Sequence, residues 1–152
     1  MELAYRNILV AVDGSKSAEC AFKKAVQIAL RNNAQLTLVH VIDTRSYVSI
    51  ESYDGTMAER AVNYAENLLN GYQQQAKTQG LQNLKTIIER GSPRSVIPKH
   101  TAKQVNADLI ICGATGLNAV ERLLIGSVSE YITRAANCDV LVIRTELEDK
   151  VE

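Results

Sequence analysis

The sequence predicts an α/β fold, a three-layer sandwich in which one five-stranded parallel sheet, in the order 3-2-1-4-5, carries helices on both faces. Three observations predict it. Apolar runs alternate with segments of helical period along the whole chain. The runs are continuous rather than alternating, which is the pattern of strands buried on both faces. Strictly alternating strands and helices require crossovers of one hand and hence a parallel sheet.

Asn7 to Val12 is the first run, stopped by the turn formers Asp13-Gly14-Ser15. Ala21, Phe22, Ala25, Ile28 and Ala29 then recur at helical spacing until Arg31-Asn32-Asn33. Leu36 to Ile42 is strand two. A polar connection, Asp43 to Thr56, leaves its carboxyl end, and long connections in that position are candidate lids. Tyr47 and Tyr53 are its candidates to cover a ligand. Ala58, Ala61, Val62, Ala65, Leu68, Leu69 and Tyr72 mark a longer helix closing near Gly80. Lys85 to Glu89 is a short third strand. Ser92 is the expected N-cap of the next helix, with Pro93 at its tolerated first position. Pro98 falls inside that helix and should kink it. Leu109 to Cys112 is strand four, Ser127 to about Ala136 the last helix, and Asp139 to Arg144 strand five.

Strand order 3-2-1-4-5 reverses its winding between strands one and four. Ligands of such sheets bind outside the carboxyl ends of the strands at that reversal. The segments placed there are Val12 to Ser15 and Gly113-Ala114-Thr115-Gly116. Nine residues after Gly116 comes Gly126-Ser127, where the last helix starts. Glycines admit a ligand close to the main chain, and a helix start adds free N–H donors and partial positive charge. This is the pattern of a phosphate cradle. Its structural alternative is two turns and a helix cap, with Ser127 and Glu130 as a capping-box pair.

Composition bounds the rest. At 152 residues the chain is one domain (residues 1–152), with a core at about 5–145 and a charged tail at 146–152. Apolar residues make up 46% and the formal net charge is zero, which favours neither nucleic acid nor an anionic membrane as partner. No apolar run approaches the roughly 20 residues of a membrane span, and the first residues lack a leader pattern. Cys20, Cys112 and Cys138 are odd in number and widely spaced. They fit free thiols in a cytoplasmic protein and no zinc pattern. No metal site is expected. His40 and His100 have no partner motif and are read as structural, and no nucleophile–base pair marks a hydrolase. A Walker A motif and a G-x-G-x-x-G turn are both absent.

At these residues the chain resembles the universal stress protein family, over about residues 5 to 145. Asn7 to Ser15 looks like that family's opening strand and turn, and Cys138 to Arg144 like its terminal edge strand. Gly113-x2-Gly116-x9-Gly126-Ser127 matches the G-2x-G-9x-G-(S/T) signature of its ATP-binding branch. The resemblance implies an adenine nucleotide alpha hydrolase-like fold, a homodimer through Val140 to Ile143, and ATP in a cleft of strands one, two and four. It implies Asp13 near the ribose and phosphates, Val41 by the adenine, and Gly113, Gly116, Gly126, Ser127 and Val128 along the ribose and phosphate path. With their neighbours, the candidate ATP-binding residues are Ala11, Val12, Asp13, Val41, Gly113, Ala114, Thr115, Gly116, Gly126, Ser127, Val128 and Ser129. Relatives often carry a basic or imidazole residue where this chain has Thr115, and Arg122 is the candidate to compensate. Mg2+ bridging the phosphates would relieve their repulsion with Asp13. The expected function is an ATP-dependent regulatory module of the stress response, without fast turnover. The alternative is a slow ATPase or phosphoryl-transfer protein, for which the cleft shows no evident Lys.

Overall fold

The computed structural model describes residues 4–44, 55–115 and 125–145. In chain order the elements are β1 (Asn7–Ala11), α1 (Lys16–Asn32), β2 (Gln35–Asp43), α2 (Thr56–Thr78), β3 (Leu84–Gly91), α3, β4 (Leu109–Gly113), α4 (Ser127–Ala135) and β5 (Asp139–Ile143). The α3 segment begins at Pro93–Ser95, passes through a π-helical Val96–Thr101 and closes as Ala102–Gln104. All four strand pairings are parallel and the order is β3-β2-β1-β4-β5, as the alternation predicts.

Two apolar layers flank the sheet. Ile8, Val10 and Val12 of β1 meet Phe22 and Ala25 of α1 and Leu69 and Tyr72 of α2. Leu9, Val39, Val41, Ile110 and Cys112 point the other way, onto Ile97 of α3 and Ile132 of α4. The double burial expected of every strand holds for β1, β2 and β4. It fails at the edges: β3 and β5 hold only exposed and half-buried positions. An edge strand has a neighbour on one side only, so its helix cover is thinner.

Local chemistry sets the helix ends. Ser15 caps α1, its Oγ accepting from the Ala18 N–H at 3.0 Å. Asn33 closes the same helix in the left-handed region. Ser92 does occupy the N-cap of α3, but its side chain makes no capping bond. Pro98 is buried inside α3. A proline there lacks an N–H and crowds the carbonyl four residues back. The helix answers by widening to a π turn rather than breaking.

At the amino end of the sheet, the Asp108 carboxylate accepts from the N–H groups of Arg6 at 2.8 Å and Asn7 at 3.0 Å. The Asp108 N–H donates back to the Asn7 carbonyl at 2.9 Å. The start of β1 is thereby laced to the entry of β4.

Candidate functional site

β1 and β4 pair only from Ile8 with Leu109 to Val10 with Ile111. Beyond that each strand turns to its outer neighbour. The Val12 N–H donates to Val39 of β2 at 2.9 Å. β4 stays with β5 up to Gly113 and Ile143, and the Ala114 N–H then donates to the Ile143 carbonyl at 2.8 Å. The two chains diverge at their carboxyl ends and leave a crevice between Val12-Asp13 and Gly113-Ala114, at the reversal of strand order.

One wall is built from β1 and its turn. Asp13 Oδ1 accepts from the Ser15 N–H at 2.9 Å, closing an Asx turn. Gly14 sits at φ +86°, a conformation L side chains rarely adopt. His40 Nδ1 is 2.8 Å from the Val12 carbonyl oxygen. A carbonyl can only accept, so Nδ1 carries the proton. The Tyr64 hydroxyl donates to the Asp13 carbonyl at 3.4 Å, and its ring stands edge-on to His40 at 5.8 Å between centroids. The structural role expected of His40 is therefore to orient this turn. Its fellow His100 lies with Nε2 3.4 Å from the Glu89 carboxylate, on the outer side of β3.

The other wall joins β4, α1 and α4. A Cβ on Gly113 would lie 2.7 Å from the carbonyl carbon of Ser17, closer than packing allows. The first glycine of the motif is thus required by the docking of α1 against β4, whatever binds nearby. The Thr115 N–H donates to Ser17 Oγ at 3.2 Å. The Ser129 hydroxyl donates to the Gly113 carbonyl, and the Gly126 N–H to the Ala114 carbonyl. These bonds seat the first turn of α4 directly on the end of β4.

The N-cap of α4 is Gly126, in extended backbone, and among the described residues no side chain caps the helix. The capping-box alternative is thereby set aside. Ser127 is already the first helical residue, and Glu130 pairs with Arg134 at 3.2 Å instead of reaching back. Glycine at the cap removes the side chain that would compete for the first N–H groups, which have no acceptor within the helix. The cradle is electropositive for that reason. Ser127 is exposed and Val128 half-buried at its mouth, whereas Ser129 is buried with its hydroxyl committed to Gly113.

Ala11 and Val41 belong to the sheet face that also receives α4. The side chain of Val12 points to the opposite layer and leaves its backbone at the crevice. Thr115 is half-exposed. Cys112 lies below, buried, its thiol pushed up by desolvation against a smaller opposing effect of the Ser129 hydroxyl. It is a core residue, as expected. Gly116, Arg122, Tyr47 and Tyr53 lie outside the described residues. Among the described residues no cluster of three or more His, Cys, Asp or Glu is arranged to hold a metal ion, and no helix is long and apolar enough to cross a membrane. Ser17, His40 and Tyr64 were not foreseen as parts of the site. Each is a polar group inside an otherwise apolar or amphipathic pattern, and sequence spacing does not say which backbone group it meets.

The family model of the universal stress protein family matches residues 4–144. A Staphylococcus aureus (strain USA300) protein named for that family is 56% identical over 144 residues, covering 95% of this chain and 87% of its own length. Among solved structures, the universal stress protein UspA from Lactobacillus plantarum superposes with a TM-score of 0.84 at 37% identity, covering 94% of this chain and all of its own. A universal stress protein in complex with cAMP superposes with a TM-score of 0.71 at 26% identity, over 94% and 99% of the two chains.

Proposed function

The chain belongs to the universal stress protein family, and from that premise we propose that it is a regulatory module of the stress response that binds ATP in the crevice between β1 and β4. One observation carries the reading. The strands part at the reversal of strand order, and an α4 with glycine at its N-cap and no side-chain cap is bonded onto the end of β4 at that point. Such a helix start offers its N–H groups to an anion. The cAMP complex of a relative supports a nucleotide in this family fold.

In this reading the phosphates lie over Gly126, Ser127 and Val128, and the adenine rests against Ala11 and Val41. Asp13 faces the ribose, and a Mg2+ ion between the phosphates would offset its charge. The module is cytoplasmic and pairs with a second copy through the β5 edge. Binding without fast turnover fits the small hydroxyls and single carboxylate of the crevice.

The test is to denature the purified protein and chromatograph the supernatant, then to titrate nucleotide-free protein with ATP calorimetrically. Released ATP or saturable binding is expected. Neither, at millimolar ATP, would refute the reading. Multiple-turnover phosphate release abolished by Asp13→Ala would replace it with the ATPase alternative.

A further inference from the structure

Two cations share one aromatic ring beside the cradle. Arg94 Cζ lies 5.4 Å and Lys99 Nζ 5.5 Å from the ring centroid of Tyr131. Both distances are within reach of a cation–π attraction. Arg94 and Lys99 are exposed, and Tyr131 is half-buried. Among the described residues neither cation has a carboxylate partner, although Glu130 and Glu89 are near in sequence to the ring and to α3. Those two are engaged elsewhere, Glu130 with Arg134 and Glu89 with His100 and Thr101. Residues 93–104 contain Arg94, Lys99 and Lys103 and no Asp or Glu. Among the described residues this positive charge is left unbalanced.

Its position gives it a use. The first turn of α3, Pro93–Ser95, follows the carboxyl end of β3 and packs against α4. Tyr131 is one turn beyond Ser127, and helical side chains lean toward the N-terminus. The ring therefore lies over the first turn of α4, and Arg94 comes to the same end of the helix as the free N–H groups. Among the described residues the cradle offers backbone dipoles and the Ser127 hydroxyl, and such dipoles hold one phosphate well and extend weakly beyond it.

We propose that Arg94, seated on Tyr131, is the residue with which this site reads the length of the nucleotide's phosphate chain. The inference rests on the nucleotide-binding reading above. A guanidinium with its flat face on an aromatic ring keeps its edge N–H groups free and pre-aimed at phosphate oxygens. It adds affinity for the β- and γ-phosphates and none for a monophosphate held at the helix start. Lys99, further along α3, adds to the positive field at the same ring.

The experiment is calorimetric titration of the full chain with ATP, ADP and AMP, for the unaltered protein, Arg94→Ala, Arg94→Lys and Tyr131→Leu. Circular dichroism and thermal midpoints control for folding. Arg94→Ala is expected to weaken ATP about tenfold and to leave AMP unchanged, so that the ATP-to-AMP affinity ratio collapses. Arg94→Lys should restore part of the ratio, and Tyr131→Leu should lower it with the charge still present. A ratio unchanged in Arg94→Ala, or equal losses for ATP and AMP, would overturn the inference while leaving the nucleotide reading intact. Absence of binding by the unaltered protein would instead remove both.

Discussion

The Ser17 side-chain oxygen, in the first turn of α1, accepts a hydrogen bond from the backbone N–H of Thr115 at 3.2 Å, across 98 residues of sequence. Ser17 is buried. The bond ties the loop leaving β4 to the first turn of α1, which follows directly on the Asp13-Gly14-Ser15 turn of the facing wall. Ser17→Ala would leave the Thr115 N–H without that acceptor. The expected cost is about 1–2 kcal/mol, read as a lower urea midpoint with unchanged slope. Nucleotide affinity should fall with it, because the loop loses its tether.

Gly113→Ala tests the packing role of the motif's first glycine. The new methyl would meet the Ser17 backbone at 2.7 Å, and neither a strand end nor a helix turn yields easily. A destabilisation of about 1–3 kcal/mol is expected in nucleotide-free protein. Chemical denaturation without ligand checks it. No loss of stability there would mean that the glycine serves the ligand alone.

Alkaline stability should depend on Tyr72. Its phenol is pushed up from 10.0 to about 12, first by desolvation and then by the charges of Glu19 and Asp13. Below pH 10 both folded and unfolded chains keep the proton, and the contribution is fully present. Between pH 10 and 12 the unfolded chain releases the proton while the folded chain holds it, so stability falls as pH rises. The contribution is gone above about pH 12, a loss of roughly 2 kcal/mol. Tyr72→Phe keeps the ring beside Phe22, whose centroid is 4.6 Å away. Its denaturation free energy should decline less over this window.

The exposed edge of β5 predicts self-association. Leu141 is 36% exposed on a strand whose only neighbour among the described residues is β4. Unpaired apolar edges recruit partners. Light scattering should find a dimer, and Leu141→Lys should shift it to monomer at micromolar concentration while the far-ultraviolet spectrum is kept. A monomer before substitution would contradict the proposed pairing.

The fold was legible because its central strands are unbroken apolar runs. Ile8 to Val10 and Leu109 to Cys112 leave no polar position for solvent, and chain connectivity then orders the sheet. The edges were less legible, since Ile87 and Ile88 of β3 look as apolar in sequence as a central pair. The helix starts divided. Ser15, legible in the sequence only as a turn former, caps α1, and at α4 two adjacent residues compete for one cap, which Gly126 takes from Ser127. Spacing alone does not choose between them. Pro98 was recognised as a disturbance, yet whether a helix breaks or widens depends on its packing, and here both Ile97 and Pro98 are buried. The crevice was located by topology, while Ser17, His40 and Tyr64 entered it only through tertiary contacts.

The Asp108 carboxylate gives the crevice a spine. By accepting from two successive N–H groups at the start of β1, it fastens the two strands at the sheet's amino end, as the Ser17–Thr115 bond does beyond their carboxyl ends. A guest entering there meets edges already held in place, Asp13 by Ser15 and Tyr64, Ala114 by Ile143 and Gly126.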